Sequence, residues 1–208
     1  MDIQFHGANC ITLSTKQARI TIDDNLRELG LKTAVKAGDI NLYTGAHDVP
    51  PHEPKIIIDQ PGEYEVSGVS IYGIAARSHM DEEGKRNATM YKLVNEDLRI
   101  LVTGHIYPEL TEAQLESIGM IDVMIVPTGG NGYTLDPVGA LKLIKKVEPK
   151  LVIPTHYDDK DLTFPVPQQP LEEATKVFAM EVREPVAKLK IKSGDLSEVL
   201  TLAPLERV

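Results

Sequence analysis

The sequence predicts an α/β fold, chiefly because residues 121–158 read as a strand, a helix and a second strand. The two apolar runs, Ile121 to Pro127 and Leu151 to Pro154, are short and bounded by glycine and proline, as buried strands are. Between them, apolar residues recur at helical spacing from Val138 through Leu141 to Ile144. A strand, a crossover helix and a returning strand place both strands in one sheet.

Both ends of this predicted helix carry chemical signals. Asp136 occupies the position of an N-cap, Pro137 suits the first helical residue, and Pro149 marks the far end. The second strand ends in Thr155 and His156, at the sheet edge where layered α/β proteins usually carry their chemistry. His156 is therefore the first candidate functional residue.

The first half of the chain predicts further strands joined by turns. Residues 2–13 and the run ARITID alternate apolar and polar residues, which predicts a small antiparallel start. Residues 25–36 predict a short helix that contains Gly30, a weak helix former. The runs INLYTG, KIIID and VSIYGI predict strands, with a turn at Pro61 and Gly62 between the last two.

The second half adds helices and closing strands. The runs ATMYKLV and RILVTG predict strands, and Thr111 with Gln114 predicts a capping box for a short helix that Gly119 ends. The proline-rich passage TFPVPQQP predicts an ordered loop or flap. Residues 171–180 predict a last helix, and KLKIK with SEVLTL predicts a terminal pair of strands that turns near Gly194.

Length and composition limit the class of protein. A chain of 208 residues fits one domain over residues 1–208. No apolar run approaches the roughly 20 residues that cross a bilayer, and a net charge of -9 argues against nucleic-acid or membrane partners. One cysteine, Cys10, and the absence of a secretory pattern at the start lead us to expect a cytoplasmic protein.

Four of the six histidines share one local context, an apolar β-rich run followed by small or turn residues. They are His47, His79, His105 and His156. Because loops that leave one edge of a layered sheet converge, these four imidazoles could meet around a metal ion. For each histidine taken singly, a hydrogen-bonded or solvated loop residue is the alternative.

With these positions in view, the chain resembles the metallo-β-lactamase superfamily, and within it the branch similar to ascorbate-phosphate lactonases and other metal-dependent hydrolases. The segments GANC, ITID, PGEYEVSGVSIYGI, TGH, IDVMIVPTGG and VIPTHYD occur in the order that this family uses. The resemblance implies an αββα sandwich, in which two packed mixed β-sheets are flanked by helices and a metal site lies at one sheet edge.

The resemblance also shows where the metal motif departs from the family. Members bind two zinc ions through a His-x-His-x-Asp-His run, a later His, a bridging Asp and a final His. Here residues 45–50 form the run and keep only His47, the later and final histidines are His79 and His156, and the bridging Asp is His105. Since a catalytic zinc normally takes three protein ligands, the resemblance implies at most one divalent ion, zinc or another, per chain.

Two hypotheses for function remain. In the first, the four histidines hold one metal ion whose bound water attacks a small ester, lactone or phosphoester. The candidate bases or orienting groups are then Asp48, Asp81 and Asp158. In the second, the chain has lost catalysis and serves as a binding or interaction module. Both hypotheses are compatible with a homo-oligomer.

The missing ligands suggest a reconstruction. If their loss is the only change, one combined variant should restore a second metal ion, and its substitutions are Gly45→His, Val49→Asp, Pro50→His and His105→Asp. The alternative is that Pro50 and Pro51 hold the loop on a different path, because proline restricts both its own φ and the residue before it.

Overall fold

Two mixed β-sheets pack face to face with helices on the outside in this computed structural model, which describes residues 1–208. The αββα sandwich implied by the resemblance is confirmed. The strands are β1 (Asp2–Gly7), β2 (Cys10–Ser14), β3 (Arg19–Ile22), β4 (Ile40–Leu42), β5 (Ile56–Ile58), β6 (Gly62–Val66), β7 (Val69–Ala76), β8 (Ala88–Asn95), β9 (Leu98–Val102), β10 (Val123–Pro127), β11 (Leu151–Thr155), β12 (Glu181–Val182), β13 (Leu189–Lys190) and β14 (Thr201–Leu202). The helices are α1 (Glu112–Ile118), α2 (Pro137–Val147) and α3 (Leu171–Phe178).

The strand order brings the ends of distant segments to one edge. The first sheet runs β13-β1-β2-β3-β4-β5 and the second runs β12-β14-β11-β10-β9-β8-β7-β6. Strands β9, β10 and β11 are parallel neighbours, and α2 crosses over between the last two. Their carboxyl ends therefore share an edge, as the sequence predicts from residues 121–158.

The main core lies between the sheets. It is a cluster of 23 buried residues drawn from both sheets, and a second cluster of 19 lies between the second sheet and the helices. Within the main core, Tyr91 on β8 is fully buried and donates a 3.0 Å hydrogen bond to the carbonyl of Ile58 on β5. One polar contact thus joins the two sheets through an otherwise apolar interior.

Helix α2 begins and ends as predicted. The Asp136 carboxylate accepts a 2.7 Å hydrogen bond from the Gly139 amide, which caps the first turn, and Pro137 is the first helical residue. The buried face contains Leu143 and Ile144, whereas Val138 is 63% exposed. The predicted apolar stripe was therefore wrong at its first position.

The other two helices also follow their sequence signals. Thr111 and Gln114 form the predicted capping box at the start of α1, and the chain leaves that helix at Gly119. Helix α3 buries Ala174 and Phe178 against α2 and the second sheet. None of the helices has the length and apolar composition needed to cross a membrane.

The helix predicted over residues 25–36 is wrong. Only a single 3₁₀ turn forms there, at Leu26–Leu29, and it ends where Gly30 takes the left-handed φ of 85°. The Asp24 carboxylate then accepts hydrogen bonds from the amides of Ala34 and Val35, at 2.7 and 2.8 Å. These contacts hold the backbone in a loop, because an acidic side chain competes with the helix for backbone donors.

One predicted turn is only partly right, and one predicted strand pairing is wrong. Pro61 lies in the bend between β5 and β6, but Gly62 already begins β6, which pairs antiparallel with β7. The two terminal strands do not pair with each other: β13 adds to β1 in the first sheet, while β14 adds to β11 in the second. Residues Ser193–Asp195 form a 3₁₀ turn within the segment that passes from one sheet to the other.

Candidate functional site

A cavity of about 270 Å³ lies at the edge where the strands end. It is lined by the turn between β1 and β2 and by residues that follow β3, β4, β9 and β11. The proline-rich passage, residues 163–170, contributes Phe164 and Pro165 to the wall, and we refer to this passage as the flap. The ordered flap predicted from the sequence therefore borders the cavity.

The structure brings two of the four predicted histidines together in this cavity. The rings of His105 and His156 meet edge to face, with centroids 4.6 Å apart. The ring of Phe164 lies 5.0 Å from that of His156, and the ring of Tyr133 lies 5.1 Å from that of His105. The imidazole pair is thus enclosed by aromatic side chains.

The ring of His156 is oriented by the flap. Its Nδ1 lies 3.0 Å from Oε1 of Gln168, whose own amide nitrogen donates to the Val166 carbonyl at 2.6 Å. Because that bond fixes which end of the Gln168 amide faces the ring, Nδ1 of His156 must be the donor. Nε2 then carries a lone pair with no hydrogen-bond partner in the protein and borders the cavity.

The ring of His105 is oriented from the opposite side. Thr155 Oγ1 donates a 2.8 Å hydrogen bond to Oδ1 of Asn9, so the Asn9 amide nitrogen faces Nε2 of His105 at 2.9 Å. Nε2 must accept this bond, which places the ring proton of His105 on Nδ1. That Nδ1 is buried and has no partner.

Both imidazoles are uncharged at neutral pH. Burial lowers the pKa of His156 from 6.5 to about 4. Burial also lowers the pKa of His105 well below its usual value, and the neighbouring His156 and His79 lower it further. The aromatic and apolar surroundings therefore favour neutral rings, which is why two histidines can lie this close.

His47 lies outside this group. Its ring stacks on Tyr43 with centroids 3.7 Å apart, and its Nε2 lies 3.3 Å from the carboxylate of Asp59. Its Nδ1 lies 2.8 Å from the carbonyl of Asp48. Both ring nitrogens of His47 therefore lie beside oxygen atoms of other residues, outside the cavity.

His79 lies beside the pair and contacts it through a backbone hydrogen bond. Its amide donates a 2.7 Å hydrogen bond to the carbonyl of His105, but its side chain is not part of the cavity wall. The ring lies near Tyr107, with centroids 6.2 Å apart, and its Nδ1 is buried without a partner. The predicted four-histidine cluster is thus divided into a pair and two separate residues.

The donor set does not fit the zinc centre that the family implies. No group of three or more His, Cys, Asp or Glu side chains is arranged to hold a metal ion. Of the close pair, His105 has its lone pair on Nε2 engaged by Asn9 and its Nδ1 protonated, so only His156 offers a free nitrogen. A catalytic zinc normally takes three protein ligands.

The loop that replaces the family's ligand run borders the cavity at one end only. Gly45 and Ala46 line the cavity, but Val49 is 84% exposed and lies with Pro50 and Pro51 around a separate cleft. Positions 49 and 50 therefore lie outside the wall of the cavity, as expected if Pro50 and Pro51 hold the loop on a different path.

None of the three predicted catalytic aspartates lines the cavity. Asp48 borders the separate cleft near Val49. The Asp81 carboxylate accepts hydrogen bonds from the amides of Ser78 and Asn87, and so closes a charged loop. Asp158 contacts the flap through its backbone amide, which donates to Gln169 at 2.9 Å.

The carboxyl group that does border the cavity is Asp23, directly after β3. It accepts hydrogen bonds from the amide and the hydroxyl of Thr44, both at 2.7 Å. Burial raises its pKa from 3.8 to about 6, although the bonds from Thr44 and the charge of His47 act in the opposite direction. Sequence reasoning missed Asp23, yet the signal was present, because Asp23 follows an apolar strand as the histidines do.

Three of the eight non-glycine residues with left-handed φ values lie in the wall of the same cavity. Ala8, Asp23 and His156 all have left-handed φ values, of 47°, 52° and 52°. Such conformations cost non-glycine residues of the order of 1 kcal/mol each and persist where surrounding contacts impose them. The amide of His156, for example, donates to the carbonyl of Ala8 at 2.8 Å.

Replacing Asp23 by asparagine should change how stability depends on pH. Because the pKa of Asp23 is about 6 in the folded chain and 3.8 in the reference state, the unfolded chain loses this proton first. The contribution of Asp23 to the free energy of unfolding therefore falls as pH rises from about 4 to about 6, by about 2–3 kcal/mol. An asparagine side chain does not titrate, so the Asp23→Asn variant should gain stability relative to the wild type across this range.

Urea denaturation at several pH values between 4 and 7 would measure the difference. The exposed Asp97, replaced by asparagine, is the matched control, and the difference between this control and the wild type should stay flat. Titration of His105 and His156 affects all three proteins and cancels in the comparison. A wild-type minus Asp23→Asn difference that does not change with pH would contradict a buried carboxyl with a raised pKa.

Comparisons with known proteins agree on one superfamily. A family model described as a beta-lactamase superfamily domain matches residues 2–156. A protein of Thermococcus onnurineus that is named a metal-dependent hydrolase is 28% identical over 143 residues, which are 66% of this chain and 59% of the relative. The chain thus spans less than two thirds of that relative's length. The relative's name describes that protein as metal-dependent.

Solved structures agree with the family match. A candidate Zn-dependent hydrolase of the metallo-beta-lactamase superfamily from Thermotoga maritima is 25% identical, with a TM-score of 0.76 over 99% of this chain and 100% of that one. The metallo hydrolase Igni18 from Ignicoccus hospitalis is 17% identical and shows the same fold, with a TM-score of 0.60 over 100% of this chain and 94% of that one. The order of the strands, the position of the cavity and the family match together establish that this chain belongs to the β-lactamase superfamily.

Proposed function

We propose that this chain binds a small molecule in the cavity beside His156, without the two-zinc centre of the superfamily. The observation that carries the proposal is the hydrogen bonding of His105, whose two ring nitrogens are an acceptor for Asn9 and a buried donor. The residue that replaces the family's bridging Asp is therefore oriented as part of the protein framework. A preformed concave site with a few polar groups among aromatic side chains is typical of small-molecule binding.

Hydrolysis of a small ester, lactone or phosphoester with at most one metal ion is the second candidate function. The names of the Thermococcus and Thermotoga relatives favour it. So does His156, because a metal-ligating histidine commonly donates its other ring N–H to a protein oxygen, as Nδ1 does here to Gln168. This candidate needs further ligands, and no group of three or more His, Cys, Asp or Glu side chains is arranged to supply them.

Metal content and turnover separate the two candidates. The purified chain would be dialysed against zinc and then against buffer, analysed for zinc, and assayed with a p-nitrophenyl ester, a lactone and a phosphodiester. We expect substoichiometric zinc, and hydrolysis no faster than that of the His156→Ala variant, because one free imidazole nitrogen is too few ligands for a tight site. His52, which is exposed and outside the cavity, provides a matched His→Ala control.

The opposite result would establish the hydrolase candidate. It would consist of one tightly held zinc ion per chain, retained in His52→Ala and lost in His156→Ala, together with hydrolysis that follows the zinc content. Circular dichroism of both variants would show whether loss of zinc reflects loss of fold.

A further inference from the structure

The charges around the cavity are all of one sign. The charged side chains in its wall are Asp23 and Glu28, and the wall contains no lysine or arginine. The cavity also belongs to a chain whose net charge is -9. In the absence of a bound cation, an anionic ligand such as a phosphate or a carboxylate would enter against this field.

One side chain of the wall offers an accessible, unpaired hydrogen-bond acceptor. Nε2 of His156 has a free lone pair, and the side chain is 95% buried, since its exposed fraction is 5%. A buried acceptor left without a donor costs free energy, so a ligand that brings N–H groups satisfies what the protein leaves open.

Aromatic rings complete the wall. Phe164 of the flap lies 5.0 Å from the His156 ring, and Tyr133 lies 5.8 Å from it on a different segment. The faces of such rings attract cations, and their apolar area binds the body of an organic ligand. The flap therefore adds apolar surface beside the acceptor of His156.

We propose that the cavity binds a small organic ammonium compound, a primary amine attached to an apolar body. The ammonium group donates to His156 Nε2 and is attracted by the carboxylates of Asp23 and Glu28, while the apolar body contacts Phe164. This inference rests on the proposed function, since it names the class of ligand for the same cavity. An ammonium group brings donors for this acceptor and a charge opposite to that of the wall, whereas a carboxylate brings neither.

Three probes that share one ring test the charge preference: benzylammonium, benzyl alcohol and benzoate. Each would be titrated into the ¹⁵N-labelled full chain and followed by amide chemical shifts of cavity residues at pH 7.5. We expect benzylammonium to bind at least about tenfold more tightly than benzyl alcohol, in line with charge-assisted and cation–π contacts in a partly desolvated site. Benzoate should bind more weakly than either.

A charge-matched pair of variants tests the location. Glu28→Gln removes a carboxylate of the wall, and Glu116→Gln removes an exposed one on α1, outside the cavity. We expect Glu28→Gln to weaken benzylammonium about threefold, as a solvent-exposed charge does, and to leave benzyl alcohol unchanged. Glu116→Gln should leave both affinities unchanged.

The outcomes distinguish this inference from the proposed function. If benzyl alcohol or benzoate binds in the cavity as tightly as benzylammonium, or if Glu116→Gln weakens benzylammonium as much as Glu28→Gln, the ammonium inference is overturned and the cavity remains a small-molecule site. If none of the three probes shifts cavity amides of the folded chain, both the inference and the proposed function are overturned.

Discussion

Gly104→Ala should destabilise the fold by about 3–5 kcal/mol, combining the strain of a left-handed alanine with overpacking. Gly104 has a φ of 62°, and a Cβ added there would lie far inside contact distance of the Thr44 side chain. Thr44 cannot move freely, because its hydroxyl and amide both donate to Asp23. The substitution would therefore disturb the wall of the cavity as well as the end of β9.

Gly84→Ala is the matched control for the backbone effect. Gly84 has a φ of 87°, in the same left-handed region, but a Cβ there would meet nothing within 4 Å. Its cost should be about 1 kcal/mol, so the difference between the two variants isolates the contact with Thr44. Urea denaturation would measure both, and equal losses of stability would contradict the contact described here.

Asn9→Ala should lower stability by about 2–4 kcal/mol, because it leaves two buried polar groups without partners. These groups are Nε2 of His105 and the hydroxyl of Thr155, both of which contact the Asn9 amide. The free energy of unfolding would be measured in urea, with Asn95→Ala as a control, since Asn95 is at the surface and makes one hydrogen bond to Gly68.

The Asn9→Asp variant tests the orientation of His105 by spectroscopy. A carboxylate at this position can only accept, so the ring proton should move from Nδ1 to Nε2 to satisfy it. Long-range ¹H–¹⁵N correlation spectra distinguish the two tautomers directly. We expect the Nδ1–H form in the wild type and the Nε2–H form in Asn9→Asp. A wild-type ring already protonated on Nε2 would contradict the framework role assigned to His105.

The elements that the sequence predicted best are the helices with capping or helix-ending residues at both ends. Helix α2 has Asp136 and Pro137 at one end and Pro149 beyond the other, and α1 has its capping box and Gly119. These signals act through local hydrogen bonds, which can be read from neighbouring residues. The composition of the segment from Asn25 to Lys36 favours a helix. The side chain of Asp24, just before this segment, accepts hydrogen bonds from its backbone and holds it in a loop instead.

Long-range pairing was harder to predict. The runs KLKIK and SEVLTL are close in sequence and look like a pair of neighbouring strands. In the structure the first pairs with β1 and the second pairs with β11. Nothing local marks this choice, because strand pairing depends on which edges the rest of the fold leaves open.

The candidate site could be predicted only in part for a related reason. Because His105 and His156 follow strands, the sequence placed them at the sheet edge that carries the cavity. The same criterion would also have selected Asp23. The same rule also selected His47, but the loop after β4 directs that ring onto Tyr43 and Asp59 and away from the pair. Which atoms face the cavity depends on the hydrogen-bond partners of each ring, and no local sequence pattern links those partners to the histidines.

The bond between Thr155 and Asn9 has a consequence for the order of folding. It joins residues 146 positions apart, and the bond from Asn9 to His105 spans 96 positions. Closing such long loops is slow compared with forming local hairpins, so the turn between β1 and β2 should meet the end of β11 late, after the local hairpins have formed. A partly folded chain would then have these hairpins and an open, unformed cavity. A ligand that requires the complete cavity would bind only the native state and would stabilise the whole protein against unfolding, increasingly so as its concentration rises.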